Sequence, residues 1–364
     1  MFRIFTALAF IFILACSCET GPKNSQEGTV DLLQVRAAFA IEPVMQVFSL
    51  GDSVEFKIRQ LDSTLFDSIL FKVDGQVVGK SLGNSNLNQS LKWASVKSKT
   101  GSHVFSVSAF SGQKEPKQAS HSFFLKSDVV PEVYGYQVFK SVPHNSESFT
   151  QGLEWKGPLL YEGTGLHGKS AIMQIDPTTG NALIRKNLDQ NFFGEGITIM
   201  GDKLYQITWQ NKRGFVYQLP QLEKIKEFGY SSEGWGLTNW NQQLVMSDGT
   251  NRLYFLNPDK FNQTGVLEIW DNHRPVDAIN ELEEIDGFIY GNKYQTDTIL
   301  KIDPKTGKIL AYIDLGGILP DSDRNGEEDV LNGIAWKADE KLLYVTGKNW
   351  PKMYAIRLVK KLRS

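Results

Sequence analysis

From Tyr134 to the C-terminus the chain repeats one pattern five times: an apolar strand-like run, a polar turn of Gly, Asn, Asp or Thr, and a second apolar run. The copies open at Leu159, Leu204, Leu244, Ile289 and Leu343. Their spacing of about 40–54 residues is that of propeller blades. Two copies carry the same turn, Asp176-Pro177-Thr178-Thr179-Gly180 and Asp303-Pro304-Lys305-Thr306-Gly307. There Pro presets φ and Gly supplies the left-handed exit. No such unit buries its apolar face alone, so the repeat predicts sheets packed in a ring: a five-bladed β-propeller over residues 134–360. An open ring would leave sheet edges bare. The lone strand Tyr134–Val142 is therefore expected to complete the blade made by the C-terminal strands.

Residues 30–127 show a different organisation. SVEFKI, ILFKVDGQVVG and HVFSVSAFSG read as strands, the second broken by an Asp74-Gly75 turn. The pattern predicts a small immunoglobulin-like β-sandwich, without the Cys…Trp…Cys framework of antibody domains. Ser127–Glu132 reads as the linker. The fold class is thus all-β, a sandwich followed by a propeller.

The first residues carry an address. Arg3, an apolar run from Ile4 to Leu14 and then small residues make a secretory signal peptide over residues 1–18. Ile13-Leu14-Ala15-Cys16 reads as a lipobox, with Cys16 the lipid anchor and Cys18 the second choice. Residues 19–29 form a polar tether, which predicts an exported protein anchored to a bacterial membrane on its periplasmic or surface face. These are the only two cysteines in the chain, so neither predicted domain holds a disulfide or a cysteine metal site. A net charge of −2 with no basic stripe argues against a nucleic-acid partner.

A propeller gathers one loop set from every blade at the mouth of its channel. Five segments stand at equivalent places in the repeat: Phe149–Leu153, Phe193–Gly196, Glu233–Leu237, Asn280–Glu283 and Leu331–Ile334. They are expected to be loops that meet there. Trp209, Tyr294 and Lys348 each follow the next strand. Within this set Glu195 is a lone acid between two glycines, beside aromatic residues. An apolar wall disfavours a carboxylate's charged form and raises its pKa toward proton-transfer values.

FTQGLEW, FGEGIT, LYQITW, EGWGLT, INELE, YQTDTILKID and VTGKNWPKMY occur in this order over roughly residues 144–358. Together they resemble the plant-type (papaya-type) glutaminyl-peptide cyclotransferases. The resemblance implies a five-bladed propeller that cyclises N-terminal glutamine to pyroglutamate, releasing ammonia without zinc. It implies Glu195 as catalytic acid/base, with Phe149, Gln151, Phe193, Trp209, Trp235, Asn280 and Lys348 lining the pocket. It also implies a structural calcium ion in the channel, held largely by backbone carbonyls, with no cofactor needed for the chemistry. One departure is Tyr294, where the family usually has tryptophan.

These residue types suit that reaction. The substrate's α-amine must attack its own γ-carbonyl, so holding the bent conformer supplies much of the acceleration. Trp209, Trp235 and Tyr294 can clamp the methylenes, and one carboxylate can take a proton from the amine and deliver it to the departing NH2. Lys348, Gln151, Asn280 or a backbone N–H are the candidate oxyanion donors. A non-enzymatic lipoprotein propeller binding peptides or glycans would need the aromatic pocket but not Glu195. A lactonase-like propeller would need several converging acids, for which only Glu195, Glu233, Glu281 and Glu283 are available.

Asp321–Gly326 matches the opening of an EF-hand loop, but Asn332 stands where the motif needs its bidentate glutamate, so a solvated acidic loop is expected. The five histidines lack metal-ligand spacing, and no G-x-S-x-G elbow or phosphate loop occurs.

Overall fold

The structure, a computed structural model, describes residues 39–42, 46–85 and 88–361. The signal segment, Cys16, Cys18 and the tether lie outside the described residues.

The first three repeats each fold into a four-stranded antiparallel sheet, the fourth supplies four antiparallel strands and the fifth three. Blade 1 runs Thr150–Lys156, Leu159–Thr164, Ala171–Ile175 and Ala182–Asn187. Blade 2 begins at Gly194–Met200, blade 3 at Leu237–Trp240 and blade 4 at Ile279–Ile285. Blade 5 begins at Leu331–Lys337 and continues through Leu342–Gly347 and Lys352–Lys360. The first strands of successive blades touch in an unbroken cycle, so they form the inner wall of the ring. Apolar runs such as Leu204, Ile207, Leu244 and Ile289 are fully buried between blades.

Ring closure uses the strand ahead of blade 1, Glu132–Pro143, which pairs antiparallel with Lys352–Lys360 from Pro143↔Lys352 to Tyr134↔Lys360. Its start also pairs in parallel with blade 4, Glu132↔Ala311 to Tyr134↔Ile313. Blades 4 and 5 therefore share one eight-stranded sheet, a seam that the repeat does not disclose.

Ahead of the ring, a three-stranded and a five-stranded sheet enclose one core. Val54, Phe56 and Ile58 alternate inward from Ser53–Gln60, and Phe56 stacks on Phe105 at 3.9 Å between centroids. This core docks on blades 3 and 4: Thr100 donates its N–H to the Thr306 carbonyl at 2.8 Å, and Lys308 pairs with Asp128 at 2.6 Å. The only helix among the described residues is the 3-10 turn Asp321–Asp323. There Asp323 is committed to Lys352 and Tyr354, at 2.6 and 2.8 Å, rather than left free for a cation.

Candidate active site

The five mouth segments expected as loops mostly lie in the inner strands themselves, and the difference has a physical cause. In four blades the inner strand slips register near its start, between Thr150 and Gly152, Gly194 and Ile197, Ile279 and Leu282, and Leu331 and Ile334. A β-bulge inserts one extra residue and re-aims its side chain. The residues so displaced include Gln151, Glu195, Asn280 and Asn332. In each of these blades the residue after the second strand donates its N–H back to the residue two before the displaced one. The bonds are Gly165 to Phe149, Trp209 to Phe193, Tyr294 to Ala278 and Lys348 to Val330, at 2.8, 3.0, 2.8 and 3.0 Å. One local device, repeated around the ring, thus brings the polar residues and the aromatic residues to a common mouth.

Close packing of the inner strands explains the glycine after the displaced residue. A Cβ at Gly196 would collide with the Leu237 N–H, and one at Gly236 with the Asn280 carbonyl. Blade 4 has Glu281 at this place instead. Its carboxylate accepts N–H bonds from Leu153 at 3.3 Å and Ile334 at 3.1 Å, so it ties blade 4 to blades 1 and 5.

The mouth holds a cavity of about 230 Å3 lined by Phe149, Gln151, Phe193, Glu195, Trp209, Trp235, Asn280, Tyr294 and Lys348. Every pocket residue anticipated from the sequence is in this one cavity. Glu195, Lys348, Gln151 and Asn280 are buried, while the aromatic residues are half-buried. The rings form two arcs. Phe149 meets Phe193 edge-on at 6.2 Å, and Phe193 meets Trp209 at 5.7 Å. Trp235 meets Tyr294 at 5.4 Å. Glu233 joins the arcs, because one carboxylate oxygen accepts the indole N–H of Trp209 at 2.7 Å and of Trp235 at 3.2 Å.

Burial pushes the Glu195 carboxyl well above its ordinary value. The Lys348 charge pulls against this rise, and the Glu233 charge adds to it. Among the described residues no group donates a hydrogen bond to this carboxylate. Lys348 is pushed down by its own burial, against the attraction of Glu195 and Asp329. Its ammonium lies 4.7 Å from the Phe149 centroid and 5.2 Å from that of Tyr294, a cation held between two ring faces.

The amides are oriented as well. Asn332 donates to the Gln151 side-chain oxygen at 3.1 Å and to the Thr150 carbonyl at 2.9 Å. With its oxygen engaged, Gln151 is left to offer its NH2 to the cavity. The Asn280 side-chain oxygen is buried and without a partner among the described residues. Sequence reasoning missed the positioning parts played by Glu233 and Asn332. Their signals were the E-G-W run beside Trp235 and the match of Asn332-Gly333 to Gln151-Gly152 and Glu195-Gly196.

The profile of the family described as glutamine cyclotransferase matches residues 105–358. The chain belongs to the glutamine cyclotransferase family. It is 40% identical over 235 residues to the glutaminyl-peptide cyclotransferase of Arabidopsis thaliana, covering 64% of this chain and 73% of that relative. Its fold is similar to the crystal structure of the Myxococcus xanthus glutaminyl cyclase, with a TM-score of 0.60 and 33% identity over 64% of this chain and all of that one. The profile begins at residue 105, inside the strand Gly101–Phe110, so this match reaches into the sandwich as well as spanning the propeller.

Proposed function

We propose that this family member converts the N-terminal glutamine of peptides and proteins to pyroglutamate, with Glu195 carrying the proton. The observation behind this reading is a buried carboxyl of raised pKa in an aromatic pocket with cationic and amide donors. The free substrate amine has a pKa of about 8. A carboxyl raised toward that value exchanges a proton with the amine at small cost. The α-amine reacts as its free base, its ammonium proton having passed to solvent. It attacks the γ-carbonyl, and ionised Glu195 takes the proton that the attacking nitrogen sheds as the new C–N bond closes the five-membered lactam. The same carboxyl returns the proton to the departing NH2, and the C–N bond to it breaks as ammonia leaves.

The other groups divide the remaining work. Gln151, aimed by Asn332, donates to the oxyanion, with Lys348 supplying charge. The unpartnered oxygen of Asn280 accepts from the substrate amine. Trp209, Trp235 and Tyr294 hold the methylenes in the bent conformer. The test is ammonia release from H-Gln-Ala by the purified protein and by Glu195→Gln. A folded variant with undiminished turnover would remove Glu195 from the mechanism.

A structural calcium ion in the channel fits the inner ring. Asn332 has a buried side-chain oxygen without a partner, and Glu281 is buried beside it in the cycle of inner strands. Hard cations take about six to eight oxygen ligands. No three His, Cys, Asp or Glu side chains converge on a metal position among the described residues, so backbone carbonyls would supply most of the shell. Such an ion would hold the blades together and take no part in proton transfer. We also propose that Cys16 anchors the exported protein to a bacterial membrane, where it meets peptide substrates outside the cytoplasm.

A further inference from the structure

Directly beside the cavity, a polar cleft of about 660 Å3 lies between blade 1 and the loop joining blades 4 and 5. Its floor contains Ser148 and Asn349, the chain neighbours of the pocket residues Phe149 and Lys348. Gly165 lies in the cleft lining, yet its α-carbon also faces the pocket side, since a Cβ there would run into the Phe193 ring. Half-buried Phe149 therefore stands at the border between the two spaces. The floor is preformed: Asn349 donates its N–H to the Ser148 carbonyl at 2.8 Å and its side-chain NH2 to the Ser146 carbonyl at 2.9 Å.

The walls carry opposite charges. Lys169 stands on the blade 1 side and Glu327 on the loop side, both exposed and without a side-chain partner among the described residues. In a smaller cavity lined by Arg274, Asp277 and Lys293, by contrast, the lysine donates to Asp277 at 3.3 Å. A glutamine bound at Glu195 must pass the rest of its peptide out of the 230 Å3 cavity, which is too small to enclose more than the first residue or two. The cleft across Phe149 offers that chain a polar floor and three charges without side-chain partners among the described residues, Lys169 opposed by Glu327 and Glu147.

We propose that this cleft is an extended subsite for the peptide that follows the N-terminal glutamine, with Lys169 favouring an acidic side chain at the third or fourth position. The inference rests on the glutamine-cyclising reading of the pocket. It is tested with H-Gln-Ala and two hexapeptides that begin with Gln, one carrying Glu and one carrying Lys at both the third and fourth positions. The wild-type protein should show kcat/KM about three- to five-fold higher for the acidic hexapeptide than for the basic one, the range of an exposed ion pair. Lys169→Glu should reverse that preference and leave H-Gln-Ala unchanged. Equal kcat/KM for the two hexapeptides, or a preference that survives Lys169→Glu, would overturn the subsite. Failure to cyclise any of the three substrates would instead overturn the pocket reading.

Discussion

Trp209 donates its indole N–H to Glu233 at 2.7 Å, and the same oxygen accepts the N–H of Trp235. Two blades thereby share one acceptor, and the distance between the indoles is fixed by it. A hydrogen bond to a charged group contributes about 1.5–3 kcal/mol. Glu233→Ala should loosen both rings and raise KM for Gln peptides about ten-fold, with a smaller change in kcat. Glu233→Gln retains an acceptor oxygen and should restore most of the affinity. Steady-state kinetics of the two variants check this, and equal KM values in both and in the wild type would remove Glu233 from the clamp.

The pH profile follows from the same geometry. As the base, Glu195 must be ionised, so kcat/KM should rise with pH through a value well above the ordinary 4.5 of a glutamate. Glu233 faces Glu195 with like charge and helps hold that value up. Glu233→Gln should therefore move the acid limb to lower pH. Lys348→Met removes the opposing cation and should move the limb to higher pH while cutting turnover. Glu195→Gln should lose about 10²–10⁴-fold in kcat at every pH, the range of a lost acid–base group. An acid limb that stays in place in both charge variants would mean that another group titrates.

How much of this was legible in the chain depends on the length scale of the signal. Blade number came from apolar runs recurring at about 40–54 residues, a period set by the size of the unit itself. The pocket residues came from the repeat and the family motifs, because residues at equivalent repeat positions must meet at one end of the ring. Bulges were not legible. They depend on register between strands, and a one-residue slip leaves no mark in composition. The repeat places Asn332 in the fifth mouth segment, but its turn toward Gln151 comes from the slip between Leu331 and Ile334 and is not visible in the sequence. The parallel pairing of Glu132–Tyr134 with blade 4 was equally silent, since it arises where two blades happen to share an edge.

Calcium can be tested by stability rather than activity. The inner ring leaves the Asn332 oxygen unpartnered and Glu281 buried, an arrangement that a hard cation would relieve. Calcium should raise Tm, and a chelator should lower it, by an amount that grows with the logarithm of free calcium. Asn332→Ala should weaken the response. It should also lower kcat by freeing Gln151, and this second effect should persist with chelator present. A Tm independent of calcium over the millimolar range would leave the channel without an ion.

Ring closure makes a separate prediction. His144 follows the closing strand and bonds the Trp350 carbonyl of blade 5 at 2.6 Å and Glu162 of blade 1 at 3.1 Å. The Thr150 and Thr346 hydroxyls, each 3.4 Å away, complete its surroundings. Burial alone would push the imidazole down, but the Glu162 charge and these bonds together raise it above its ordinary 6.5. A raised histidine pKa favours the folded state fully below the unfolded value and loses that contribution as pH climbs through the folded one. The wild-type protein should therefore be stabilised by this latch at pH 6 and progressively less above it. His144→Gln should cost about 3–5 kcal/mol at pH 6, as for breaking a buried ion pair. The difference between the two proteins should shrink toward pH 10, measured by urea unfolding at fixed calcium. A difference that is constant across that range would show that His144 closes the ring as a neutral group, with shape rather than charge joining blade 5 to blade 1.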